Sequence, residues 1–147
     1  MIKDNIRDYA TDAFRYWASV GCPTYEEAIA RIVKKAESEA VGQPEGTRAA
    51  FVDARLNKHM GELGDIRACN ECFEYMKAHG KECVCSAVKE VYMVCPRKRP
   101  ARGELSGRVL RFAIDNYYGE AQVYRFLREA CEVFAEKRAL RFGNNEL

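Results

Sequence analysis

Between residues 105 and 140 the apolar residues recur at steps of three and four, and the pattern is interrupted once. Leu105, Val109, Phe112 and Ala113 make the first run, and Val123, Phe126, Leu127, Ala130, Val133, Phe134 and Leu140 make the second. Steps of three and four place residues on one face of an α-helix. Asp115-Asn116 closes the first segment and Gly119-Glu120 opens the second. The spacing therefore predicts two amphipathic helices joined by a short turn, the second one longer, which is a helix-turn-helix outline. Two such helices cannot bury both of their apolar faces alone. The rest of the chain must supply the other side of their core.

The same period runs upstream. Ile6, Tyr9, Ala10, Ala13, Phe14 and Trp17 predict a helix over about 4–20, stopped by Gly21-Cys22-Pro23. Thr24 with Glu27 reads as a capping box, in which each side chain satisfies a free backbone N–H of the other. It opens a helix carrying Ala28, Ile29, Ile32, Val33 and Ala36. Residues 42–46 read as a hinge loop, with Thr47 capping a third helix that ends at His59 or Met60. Gly61 and Gly64 mark a further break, after which Asp65 caps a fourth helix reaching Met76. A fifth helix covers 82–93, and 95–103 is a basic loop with Pro96 and Pro100. Residues 144–147 read as a frayed tail.

With 147 residues, 48% apolar, only 4 Pro and few β-branched residues, the expected class is all-α. The architecture is a helical bundle with a C-terminal helix-turn-helix. The expected division is an N-terminal helical segment, 1–62, and a helix-turn-helix unit, 63–147. No run of eighteen apolar residues predicts a membrane span. The first residues lack the apolar core of a signal peptide, so a cytoplasmic protein without a membrane partner is expected. The 7 cysteines are an odd number, which favours reduced thiols over a complete disulfide set.

Charge is uneven along the chain. Residues 1–88 carry 12 Lys and Arg against 14 Asp and Glu, whereas residues 89–147 carry 12 against 8. The densest basic stretch is Arg97, Lys98, Arg99, Arg102, Arg108 and Arg111, broken only by Glu104. A basic stretch at the start of a helix-turn-helix outline points to the phosphate backbone of nucleic acid.

The outline resembles the promoter-reading helix-turn-helix domains of sigma-factor region four and of LuxR-type regulators. There a small Ala in the first helix precedes, by ten residues, a Val in the second. Here Ala113 and Val123 stand ten apart, with Gly119 at the cap and Glu120 next. The larger pattern is similar to Firmicutes prophage proteins known as sigma-like or ArpU-type transcriptional regulators. It is carried by Val91-Tyr92, by Val123-Tyr124-Arg125-Phe126-Leu127, and by Phe134-Ala135-Glu136-Lys137-Arg138-Ala139-Leu140-Arg141. Two departures are visible: Tyr117-Tyr118 stands where the turn usually has Gly, and the cap is Gly119 rather than Ser or Thr.

The resemblance implies a DNA-binding transcriptional regulator of phage or prophage type whose recognition helix, about 119–138, enters the major groove of double-stranded DNA. On that helix Val123, Leu127 and Ala130 face the core, leaving Glu120, Ala121, Gln122, Tyr124, Arg125 and Arg128 outside. Gln122 is suited to adenine and Arg125 to guanine. Arg97, Lys98, Arg99, Arg108, Arg111 and Arg128 are then the groups that neutralise phosphates. The N-terminal helices are left for a homodimer contact or for docking on RNA polymerase. The alternative is a helical protein-interaction adaptor without DNA binding.

Other chemistry is weaker in the sequence. Cys69, Cys72, Cys83 and Cys85 offer four thiolates, a set that suits zinc. Cys69 and Cys72, however, fall at core spacing beside Ile66 and Phe73, which favours buried thiols and no metal. His59 and His79 lie near helix ends without a nucleophile or acid in local sequence. Residues 103–107 hold glycines but lack the Lys of a phosphate-binding loop. The aromatics Tyr9, Phe14, Tyr16 and Trp17 read as core rather than a docking face. No cofactor and no enzymatic activity are expected.

Overall fold

The computed structural model describes residues 2–140 and is all-helical, with seven helices among the described residues. They are α1 (Asp4–Ser19), α2 (Tyr25–Glu39), α3 (Glu45–Lys58), α4 (Met60–Ala78), α5 (Glu82–Val91), α6 (Glu104–Asn116) and α7 (Glu120–Arg138). The expected tail and Arg141 of the C-terminal motif lie outside the described residues. No helix among them is long and apolar enough to cross a membrane.

The helix α7 is the axis of the bundle, touching α1, α4, α5 and α6. Its Phe134 is fully buried, with ring centroids 5.5 Å from Phe14 and 6.2 Å from Tyr9 of α1. Met76 of α4, Val84, Val88 and Val91 of α5, and Val109 of α6 are also fully buried in that core. The boundary expected at residue 62 falls in the first turn of α4, and α1 shares its core with α7.

Local chemistry sets the start of α2. The capping box of α2 is complete: Glu27 N–H donates to Thr24 Oγ1 at 3.1 Å, and Thr24 N–H donates to Glu27 Oε1 at 2.8 Å. Between α1 and α2, Gly21 takes φ +90, and Trp17 Nε1 donates to Pro23 O at 2.9 Å.

Three expected boundaries are corrected. Helix α3 begins at Glu45, not after Thr47, because Pro44, at φ −57, offers its carbonyl to Arg48 N–H at 2.9 Å and so starts the first turn earlier. Helix α5 ends at Val91, short of Met93. Most consequentially, Gly61 and Gly64 do not break the chain; α4 runs through both. A Cβ on Gly64 would stand 2.9 Å from Arg138 Cζ, so the glycine makes room for that guanidinium on the helix surface. Asp65 accordingly caps nothing. Its Oδ1 accepts from Arg138 Nε at 2.9 Å and from Tyr9 Oη at 2.7 Å, tying α4 to α7 and α1.

Helix α3 is different from the others. None of its residues is buried, and it lies mainly against α2, where Ala36 and Ala40 are the buried small residues. Arg55 Nη2 of α3 holds Glu39 Oε1 at 2.6 Å.

Candidate nucleic-acid interface

The turn between α6 and α7 is made without glycine at its left-handed position. Tyr117 adopts φ 61 and ψ 39, and Tyr118 N–H closes the helix end on Ala113 O at 2.9 Å. That is a Schellman closure with tyrosine where glycine is usual. The left-handed backbone costs on the order of 1 kcal/mol for a residue with a Cβ. Tyr118 offsets it by stacking on Phe112 at 6.1 Å and meeting Phe126 edge-on at 5.1 Å. The departure from the usual Gly is therefore absorbed in a short turn held by aromatic packing. Gly119 follows in extended conformation as the N-cap of α7, without a side-chain cap.

Val123, Leu127 and Ala130 are buried, and Glu120, Ala121, Gln122, Tyr124, Arg125 and Arg128 are exposed. The N-terminal half of α7 thus offers an exposed face that carries Gln122, Arg125 and Arg128 beside Ala121 and Tyr124. Further along, Glu129 is held by Lys81, the N-cap residue of α5, and Arg138 by Asp65. The roll of α7 about its own axis is set by the burial of Val123, Leu127, Ala130 and Phe134.

The basic stretch does not stay together as one set. Lys98 and Arg99 are exposed on the loop between α5 and α6. Arg97, also exposed, donates from Nη2 to Ser19 O at 3.1 Å, which pins the loop to the end of α1. Arg108 has a structural role: its side chain is 11% exposed, Nη1 donates to Val91 O at 2.8 Å and Nη2 to Glu104 at 2.6 Å. It caps the last turn of α5, where a cation satisfies orphan carbonyls. Arg108 is therefore engaged within the fold, unlike Lys98 and Arg99. Arg111 is exposed and borders a cleft of mixed charge with Glu90, Arg108 and Asp115.

Four of the seven thiols lie in the core, and Cys22 and Cys95 are exposed. Cys69, Cys72, Cys85 and Cys131 are buried, and Cys83 is half-buried. Cys69 Sγ lies 3.8 Å from Ala13 O, Cys72 Sγ 3.5 Å from Ala130 O, and Cys85 Sγ 3.8 Å from Phe73 O. Burial pushes the Cys72 and Cys131 thiols up to about 12 and raises Cys69 further still, so the thiolate that nucleophilic attack requires is disfavoured. Among the described residues no group of three or more His, Cys, Asp or Glu could hold a metal ion. His59 binds Glu62 at 2.8 Å, and His79 donates to Tyr75 O at 2.8 Å while its ring stacks on Tyr75 at 4.0 Å.

An open groove of about 590 Å³ lies between α1, α2 and α4. Of its polar groups, Asn70 donates to Pro23 O at 3.1 Å and accepts from Tyr25 N–H at 2.7 Å, and Arg67 lies over the Tyr25 ring.

Sequence reasoning missed the outer face of α6. Leu105, expected in the core, is 37% exposed, and Leu110, Ile114 and Tyr117 are 44%, 65% and 96% exposed. The signal was available: Leu110 and Ile114 belong to neither expected apolar run, yet stand four residues apart on the same helix. No protein-family model, no curated protein and no solved structure matches this chain.

Proposed function

We propose that this protein is a non-enzymatic DNA-binding regulator of transcription, of phage or prophage type, in which α7 enters the major groove of double-stranded DNA. One observation carries the reading. Directly after a tight turn, α7 is anchored by Val123, Leu127 and Ala130 and leaves Gln122, Tyr124, Arg125 and Arg128 facing outward from its first turns. Gln122 pairs with adenine and Arg125 with guanine, each through two hydrogen bonds. Arg128, Lys98 and Arg99 meet phosphates and set orientation without reading sequence. Glu120, beside them, disfavours phosphate at the helix N-terminus and suits a cytosine amino group.

The test is a salt titration of duplex DNA binding by fluorescence anisotropy. Each phosphate contact contributes close to one unit to the slope of log affinity against log salt. Lys98→Ala with Arg99→Ala is expected to flatten the slope by about two units. Binding that is absent at low salt, or a slope that the double substitution leaves unchanged, would contradict the proposal. The second reading is an adaptor that binds protein instead of DNA. It takes over if duplex DNA is not bound at low salt.

A further inference from the structure

The exposed face of α6 is self-complementary, and we infer that it pairs with the α6 of a second copy of this chain in an antiparallel, twofold-symmetric contact. The inference stands independently of DNA binding. At 100° per residue, Gly107, Leu110, Arg111, Ile114 and Asp115 share the side of α6 opposite the buried Val109, Phe112 and Ala113. Leu110 lies on one flank of that side and Arg111 and Asp115 on the other, with Ile114 between them. Tyr117, 96% exposed, follows Asn116 at the end of α6.

A twofold contact is isologous: whatever residue i meets on the second copy must meet i in return. An axis at the level of Ala113 satisfies this three times over. It sets Ile114 against its own symmetry mate. It sets Leu110 against Tyr117 of the second copy on one flank, and Tyr117 against Leu110 in return. On the other flank it sets Arg111 against Asp115 of the second copy, and the reverse. Neither Arg111 nor Asp115 has an ion-pair partner among the described residues, although Glu104 and Arg108 on the same helix are paired to each other. Gly107 has open space where a Cβ would stand and comes opposite Gly119 of the second copy, leaving room for its turn. The charge pattern is what selects a second copy: an unrelated apolar partner would leave both charges buried and unpaired. In this arrangement Arg111 leaves the set that neutralises phosphates.

Sedimentation equilibrium of the full chain tests the contact. Up to on the order of 100 μM, where a micromolar Kd gives mostly dimer, the apparent mass is expected to rise toward that of two chains. Ile114→Asp should keep the native circular dichroism and melting temperature, because the side chain is 65% exposed. It should sediment as one chain. Arg111→Asp should weaken association roughly tenfold, since symmetry repeats the repulsion. Arg111→Asp combined with Asp115→Arg should restore it. Wild-type protein that stays at the mass of one chain would overturn the inference. So would a folded Ile114→Asp variant that still pairs, or a charge swap that fails to restore association.

Discussion

Val123→Asp is expected to destabilise the fold by about 4 kcal/mol. Val123 is fully buried, and it follows Gln122, which is exposed. An aspartate there would place an ionised carboxylate in the core that α7 shares with α4, α5 and α6, and an unpaired buried charge costs several kcal/mol. Small domains have about 5–15 kcal/mol of stability in total. The variant should therefore lose its helical circular dichroism at a clearly lower temperature and urea concentration than wild type. Its neighbours give the contrast: Gln122→Ala and Arg125→Ala should change stability by about 0.5 kcal/mol or less. Native-like stability of Val123→Asp would mean that the helix is rolled so that 123 faces water, and the outward face assigned to α7 would be wrong.

Phe134→Ala is expected to cost about 3–5 kcal/mol. Phe134 is fully buried, and its ring meets Phe14 and Tyr9 of α1. Truncation removes the transfer free energy of the ring and leaves a cavity where α7 crosses α1. Urea denaturation should show a lower midpoint with an unchanged slope, which is the signature of lost stability without a change in the surface exposed on unfolding. A loss of less than about 1 kcal/mol would fall well below that expectation and would mean that α1 does not share the core of α7. The N-terminal helices would then form a unit of their own.

How far the sequence could be read follows from the kind of force at each position. The apolar period of α1, α6 and α7 was legible because burial repeats at helical steps, and the capping box of Thr24 and Glu27 was legible because both partners lie within one turn. Gly64 and Asp65 were misread as a break and a cap because their partner, Arg138, lies 73 residues away from Asp65. Arg108 illustrates the same limit for the interface. A basic stretch shows charge, but not that the Val91 carbonyl lies 2.8 Å from one guanidinium nitrogen. Tyr117 was recognised as an unusual turn residue. Its compensation by Tyr118, Phe112 and Phe126 depends on packing between two helices and has no local signature.

The central claim is that α7 reads base sequence through Gln122 and Arg125. Selection from a random duplex library, with wild type beside Gln122→Ala/Arg125→Ala, tests it most directly. A bidentate base contact is worth about 1–3 kcal/mol of discrimination. Wild type should enrich a defined motif. The double variant should keep its melting temperature and its salt-dependent affinity for bulk DNA while its preference falls about tenfold or more at the contacted positions. Enrichment of no motif by wild type, or of the same motif with undiminished preference by the variant, would contradict the account.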